Sequence, residues 1–270
     1  MIQRREFLAA AMISPAVSEI APITCDVFVY GSTPGGVAAA LEAARRGLKV
    51  VLACPKTHLG GMAASGLSTT DAVRPQLFGG LVAEFVEGVR KHYTAEFASR
   101  PDELQLINSG WYYEPSVAEL IFTHLVKAEE KMLRWLPGHH LVSAKMNGRK
   151  VDSVELESPA REKLWITART FIDGTYEGDL AAAAKVPYRV GREAKAEHGE
   201  PFAGIHYMNW RTGQQIMTPD TGESSPAIQA FCARSIFTDD PSRFVRIEKP
   251  ASFEDHLPDY LPLLGDFASG

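Results

Sequence analysis

Cysteine is scarce in this chain, and the three present, Cys25, Cys54 and Cys232, stand far apart. No C-x-x-C pair occurs, so neither a zinc site nor a self-contained iron–sulfur site is supported. Long apolar runs are missing too; none approaches the roughly 20 residues of a transmembrane helix. Neither sign of charge dominates, and a net −5 over 270 residues gives no reason to expect nucleic acid or an anionic membrane as partner. Internal repeats and low-complexity tracts are absent, and no Ser/His/Asp or metal-binding constellation stands out. What remains is an ordinary globular composition, long enough for one large domain or two smaller ones.

The first twenty residues read as an address. Arg4-Arg5-Glu6-Phe7-Leu8 resembles the core of a bacterial twin-arginine signal, followed by a short apolar run through Ile13 and small residues at Ala16-Val17-Ser18. That route carries folded proteins and predicts a periplasmic or exported location. The other reading is an uncut, frayed helix on a cytoplasmic protein.

The stretch from Val27 to Cys54 organises the rest. Val27 to Tyr30 is a short run of Val and aromatics, as in a strand buried on both faces. A glycine-rich turn, Gly31-Ser32-Thr33-Pro34-Gly35-Gly36, leads into an Ala-rich helical segment. Gly47 sits where a helix C′ glycine belongs, and Leu48 to Ala53 is a second buried strand. This is a βαβ unit with a nucleotide-binding turn in its first loop. Gly31 permits the tight reversal, Gly36 lets helix and strand pack closely, and free N–H groups at the helix start face a pyrophosphate. The pattern departs from G-x-G-x-x-G at Thr33.

After the second strand comes Thr57-His58-Leu59-Gly60-Gly61-Met62, a paired glycine that NAD-binding domains rarely carry. Together, Gly31 to Gly36 and His58 to Met62 resemble the FAD-dependent oxidoreductases of the glutathione-reductase-like fold. More narrowly, they are similar to a bacterial group related to the flavin module of heterodisulfide reductase. Further stretches extend the resemblance: Gly66 to Asp71, Gly79-Gly80-Leu81, Trp111 to Pro115, Phe171 to Asp179, Gly191-Arg192-Glu193 and Phe237 to Pro241. It implies a Rossmann-like α/β parallel sheet with helices on both faces and a small antiparallel meander. An incomplete second, substrate-facing part follows. The residues implied to bind FAD are Gly31, Thr33, Pro34, Gly35, Gly36, Cys54, Gly60, Gly61, Met62, Asp173, Gly178 and Asp179. The loop Asp173 to Asp179 is implied to close over FAD toward its ribityl or flavin end; alternatively, Asp179 caps the helix that follows.

Between these motifs, Gly79 to Tyr93 is an amphipathic helix with Leu81, Val82, Phe85, Val86 and Val89 on one face. Thr94 to Asn108 reads as a loop, and Ser116 to Glu119 as a capping box for a helix turning Val117, Leu120, Ile121 and Leu125 inward. Leu141 to Met146 and Lys150 to Leu156 flank Asn147-Gly148 as a hairpin, and Trp165 to Asp173 returns to the parallel sheet.

Two departures stand out. The second strand of such domains ends in a carboxylate for the ribose hydroxyls, about twenty residues past the first glycine; here Cys54 holds that place (54 − 31 = 23). The family is also longer than this chain, and its C-terminal return with a second Gly-Asp is absent; Leu264-Gly265-Asp266 only mimics it. A fragment, a split gene or a degenerate protein is therefore expected, with a missing C-terminal half or separate redox partner.

Residues 1–20 are thus expected to be the signal, 24–187 the FAD-binding domain and 188–270 an incomplete substrate-facing region. The expected function is transfer of hydride or electrons between an organic small-molecule substrate and FAD. The rivals are a module that binds without turnover and an NAD-dependent dehydrogenase. Iron–sulfur partners of relatives find no site in these cysteines, and no metal is expected. Because a flavin carries its own redox chemistry, no residue need announce itself as catalytic; Arg192, Tyr176 and His58 are the polar candidates, ahead of His198 and His206. Arg192 equally suits a surface ion pair with Glu193 or Glu197, and Trp111 to Tyr113 and Trp210 suit core as well as an aromatic-binding surface.

Overall fold

A computed structural model describes residues 19–72 and 74–205, then the shorter stretches 208–209, 214–215, 221–228, 234–235, 237–238, 240–246, 248–258 and 261. The twin-arginine stretch, His206, Trp210, Cys232, Asp239 and Leu264 to Asp266 lie outside the described residues. The chain divides into two compact units, Met1–Arg234 and Ser235–Gly270. In the second, Pro241–Arg243 forms a 3₁₀ turn capped by Asp240, whose carboxylate accepts from the Ser242 N–H at 2.9 Å.

The first unit is built on β1 (Glu19–Tyr30), α1 (Pro34–Arg45) and β2 (Val50–Cys54). Then come α2 (Gly80–Glu96), α3 (Pro115–Ala128), β3 (Leu133–Pro137), β4 (His140–Asn147), β5 (Lys150–Glu157) and β6 (Lys163–Asp173). Short helices α4 (Asp179–Ala183) and α5 (Lys195–His198) follow. One six-stranded sheet runs in the order β3-β2-β1-β6-β5-β4. Strands β3, β2, β1 and β6 are parallel, and β4-β5-β6 form an antiparallel meander in the same sheet. The architecture is the expected α/β sheet with its meander.

Alternation along β1 divides the core. Val27 and Val29 join Val50, Leu52 and the inward faces of α1, α2 and α3, while Phe28 and Tyr30 join Val51, Val154, Leu156, Ile166 and Leu180. All five residues of β2 are buried, which is why its sequence is continuously apolar. On α1 the buried positions Gly36, Val37, Ala40, Leu41 and Ala44 repeat at helical spacing.

Local details differ from the sequence reading. Helix α2 continues to Glu96, and Pro101–Gly110 forms 3₁₀ turns where a loop was expected. Helix α3 starts at Pro115 with Glu114 as N-cap and no side-chain cap, so Ser116 lies inside the first turn and the capping box does not form. Proline at the first helical position explains this, since its fixed φ suits the helix and its missing N–H leaves one fewer orphan donor. The inward face takes Phe122 and Val126, whereas Leu120 is exposed. In the β4–β5 hairpin Asn147 pairs with Lys150, so the turn residues are Gly148 and Arg149. Only Gly148 of the two has positive φ, the type II′ requirement at the first central position. Among the described residues no helix is long and apolar enough to cross a membrane.

Candidate functional site

In an open α/β sheet ligands settle outside the carboxyl ends of the strands where the strand order reverses. Here β1 sends the chain outward to β2 and β3, and β6 returns on its other side. The loops after β1, β2 and β6 therefore meet at one edge, around a cleft of about 240 Å³. From the first loop Gly31, Ser32 and Thr33 line it; from the second Cys54, Pro55, Lys56, Gly61, Met62 and Ser65; from the third Thr175, Tyr176, Glu177 and Asp179.

Missing side chains hold the β1 and β6 loops together. A Cβ on Gly31 would lie 2.4 Å from the Gly174 carbonyl, and one on Gly36 would lie 2.0 Å from the Gly31 oxygen. A Cβ on Gly174 would meet the Gly36 Cα at 2.7 Å. The three glycines interlock backbone to backbone, and Gly31 in addition has φ +111°. Thr33, which departs from the glycine pattern, has an ordinary extended backbone and works through its hydroxyl. Its Oγ1 donates to the Gly174 carbonyl at 2.6 Å and accepts from the Gly36 N–H at 3.2 Å, capping α1 while strutting the β6 loop. Gly35 is different: a Cβ there would meet nothing nearer than 3.8 Å.

The second glycine turn is pinned to the first by Ser32, a residue the motif reading passed over. Its hydroxyl donates to the His58 carbonyl at 2.9 Å and its own carbonyl accepts from Gly60 N–H at 2.8 Å. Burial of this hydroxyl between two glycine turns is the signal that motif spacing does not carry. The Met62 N–H donates to the Tyr176 hydroxyl at 2.7 Å, and a Cβ on Gly61 would lie 2.3 Å from the same oxygen. Tyr176 thus spans from the β6 loop to the β2 loop. Lys56, Ser65, Thr175 and Glu177 are further cleft residues that sequence reasoning did not single out.

The acidic residues of the third loop divide their work. Asp173 accepts from Thr175 N at 2.9 Å, Thr175 Oγ1 at 2.6 Å and Ala181 N at 2.8 Å. Thr175 Oγ1 accepts in turn from Gly178 N at 2.9 Å and Asp179 N at 3.0 Å. The carboxylate that serves the start of α4 is therefore that of Asp173. Asp179 is not the cap; Gly178 is, in a left-handed conformation with φ +77°. The Asp179 carboxyl is held above its usual value, by desolvation first and then by the like charges of Glu177 and Asp173. Cys54, at the end of β2, is buried, and its sulfur accepts from Lys56 N–H at 3.4 Å.

Of the catalytic candidates, only Tyr176 lines the cleft. His58 turns to α3, with Nδ1 2.7 Å from Glu119 Oε1. Arg192 borders a separate depression, where Arg189, not Arg192, pairs with Glu193 and Glu197; His198 Nε2 lies 3.4 Å from Glu193. Trp111 and Tyr113 are core, while Tyr112 is half exposed.

The glycine cradle fits a diphosphate. The N–H groups of Thr33 and Gly35 make no hydrogen bond among the described residues and stand at the positive end of the twelve-residue α1. Fold and cradle together define a Rossmann-like α/β protein. More narrowly, the chain belongs to the FAD dependent oxidoreductase family, whose profile matches residues 26–266. No curated protein matches the chain. Among solved structures it is similar to CabE, an aromatic hydroxylase from angucycline biosynthesis, at 18% identity, TM-score 0.43, over 63% of this chain and 35% of that one. The glycerol-3-phosphate dehydrogenase from Bacillus halodurans complexed with FAD is similar at 15% identity, TM-score 0.42, over 60% and 36%. The myxobacterial chondrochloren halogenase CndH, described as a variant of FAD-dependent halogenases, is similar at 16% identity, TM-score 0.39, over 57% and 38%. The chain spans well under half the length of each.

Proposed function

We propose that the protein binds FAD in the cleft at the ends of β1, β2 and β6 and moves hydride or electrons between the flavin and a small organic substrate. The observation that carries this is the interlock of Gly31, Gly36 and Gly174, which leaves the start of α1 bare for a diphosphate. Thr33, Gly35 and Gly61 would hold the phosphates, Gly60 and Met62 fix their turn to Ser32 and Tyr176, and Asp173 keeps the third loop in place. When bound, FAD supplies the redox chemistry; the chain's part is to bind, orient and exclude water. We read residues 24–187 as the flavin-binding part and 188–270 as substrate-facing. Cys54 favours a second reading, a module that binds a nucleotide without turnover, because a thiol offers the ribose no paired acceptors.

Flavin absorbance of the purified protein, with release of the chromophore on denaturation, tests the first reading. Gly36→Leu, which drives a side chain into the Gly31 carbonyl, should abolish flavin content; full retention would sink the assignment. Export by the twin-arginine route is also proposed from Arg4 and Arg5. Changing both to lysine should leave the precursor in the cytoplasm, and unchanged periplasmic yield would count against export.

A further inference from the structure

Nucleotide folds of this kind hold the ribose of the adenosine half with a carboxylate at the end of the second strand. Cys54 stands there, buried, with its sulfur already accepting the Lys56 N–H. Pro55, Lys56 and Thr57 after it bring no acid. A diol in this cleft still needs an acceptor, and the facing wall has two carboxylates, Glu177 and Asp179. Asp173 is committed to three donors, two on Thr175 and one on Ala181 in α4. Asp179 accepts no hydrogen bond and makes no ion pair among the described residues. It lines the same cleft as Cys54, on the loop that follows β6.

We propose that Asp179, reaching across from the β6–α4 loop, accepts the ribose hydroxyls of an adenosine diphosphate group in this cleft, in place of the carboxylate that β2 lacks. This rests on the FAD-binding reading and moves Asp179 from the flavin end, where the family resemblance puts it, to the adenosine end. The assignment makes the site selective for ribonucleotides through a residue on the wall opposite the usual one.

Displacement of FAD from the full-length protein by ADP and by 2′-deoxy-ADP, read as recovered flavin fluorescence, tests it. A hydrogen bond to a charged acceptor corresponds to roughly tenfold or more in affinity. ADP should therefore outcompete 2′-deoxy-ADP by about that factor in the unmodified chain. In Asp179→Asn the two should converge through loss of ADP affinity, with 2′-deoxy-ADP little changed. Asp179→Ser carries the same comparison should the asparagine variant fail to fold. Persistent discrimination in a folded Asp179 variant, or its loss in Glu177→Gln alone, overturns the proposal. Failure of ADP to displace bound flavin overturns this assignment alone, whereas a protein that holds no flavin removes the FAD reading and this assignment with it.

Discussion

Two adjacent glycines in one turn have opposite tolerances. At Gly36 even a methyl group would sit 2.0 Å from the Gly31 oxygen, which is backbone and cannot swing aside. Gly36→Ala should destabilise by about 1–3 kcal/mol, the usual range for overpacking, and loosen the cradle. At Gly35 the nearest atom is 3.8 Å away and φ is not positive, so Gly35→Ala should leave thermal stability unchanged or slightly raised. Comparing the two melting temperatures checks this, and equal losses would contradict it. The buried Cys25 thiol makes a second residue-scale case. Desolvation raises it from 9.0 to about 11, opposed by the Val51 backbone and aided by Asp26. A raised folded value means a stabilising contribution fully present below pH 9 and lost as pH climbs through about 11. Tyr30, raised from 10.0 to about 12 mainly by burial, extends the loss upward. Cys25→Ala should flatten the first part of that alkaline decline in denaturant titrations and leave the Tyr30 part.

At the scale of elements, the third loop shows how a carboxylate's position in sequence misleads about its work. Asp173 satisfies three donors, so Asp173→Ala should cost about 1–3 kcal/mol for the groups left unpaired. Asp179, whose ionised form is disfavoured where it stands, should give no loss on conversion to Asn at neutral pH and a small gain, since its raised pKa means stability present at low pH and lost on ionisation. Chemical denaturation of both variants at pH 7 separates the roles. In the sequence both acids belong to one motif, and the capping reading falls on Asp179, whereas the carboxylate that serves α4 is that of Asp173. The βαβ unit was legible because burial on both faces of β2 and the helical spacing on α1 are local patterns. Element ends were not. Ser116 with Glu119 matches a capping box, yet Pro115 one residue earlier takes the first helical position and moves the start. Asn147-Gly148 announced a hairpin, but side-chain register across β4 and β5 placed the turn one residue later.

Across the whole unit, the site exists because the strand order brings three distant loops to one edge, and no spacing rule could have paired residue 61 with residue 176. Gly61 shows how tightly they are joined. Its φ is +49°, its Cβ position lies 2.3 Å from the Tyr176 hydroxyl oxygen and 3.1 Å from the ring carbon behind it, and 3.1 Å from the Thr33 Cα. Gly61→Ala therefore suffers twice: from left-handed backbone, about 1–2 kcal/mol for a residue with a Cβ, and from collision with the hydroxyl. Tyr176→Phe alone loses the bond to Met62 N–H, about 0.5–1.5 kcal/mol. In the double variant the worst overlap is gone, because the atom at 2.3 Å is the one that Phe lacks. The two changes should be non-additive, the pair less destabilised than the sum by about 0.5–3 kcal/mol, as for residues in contact. A denaturation cycle on the four proteins measures that coupling. Additive losses would mean that the β2 and β6 loops do not meet at Tyr176, and hydrogen exchange at Met62, faster in Tyr176→Phe if the hydroxyl protects it, reads the same contact independently.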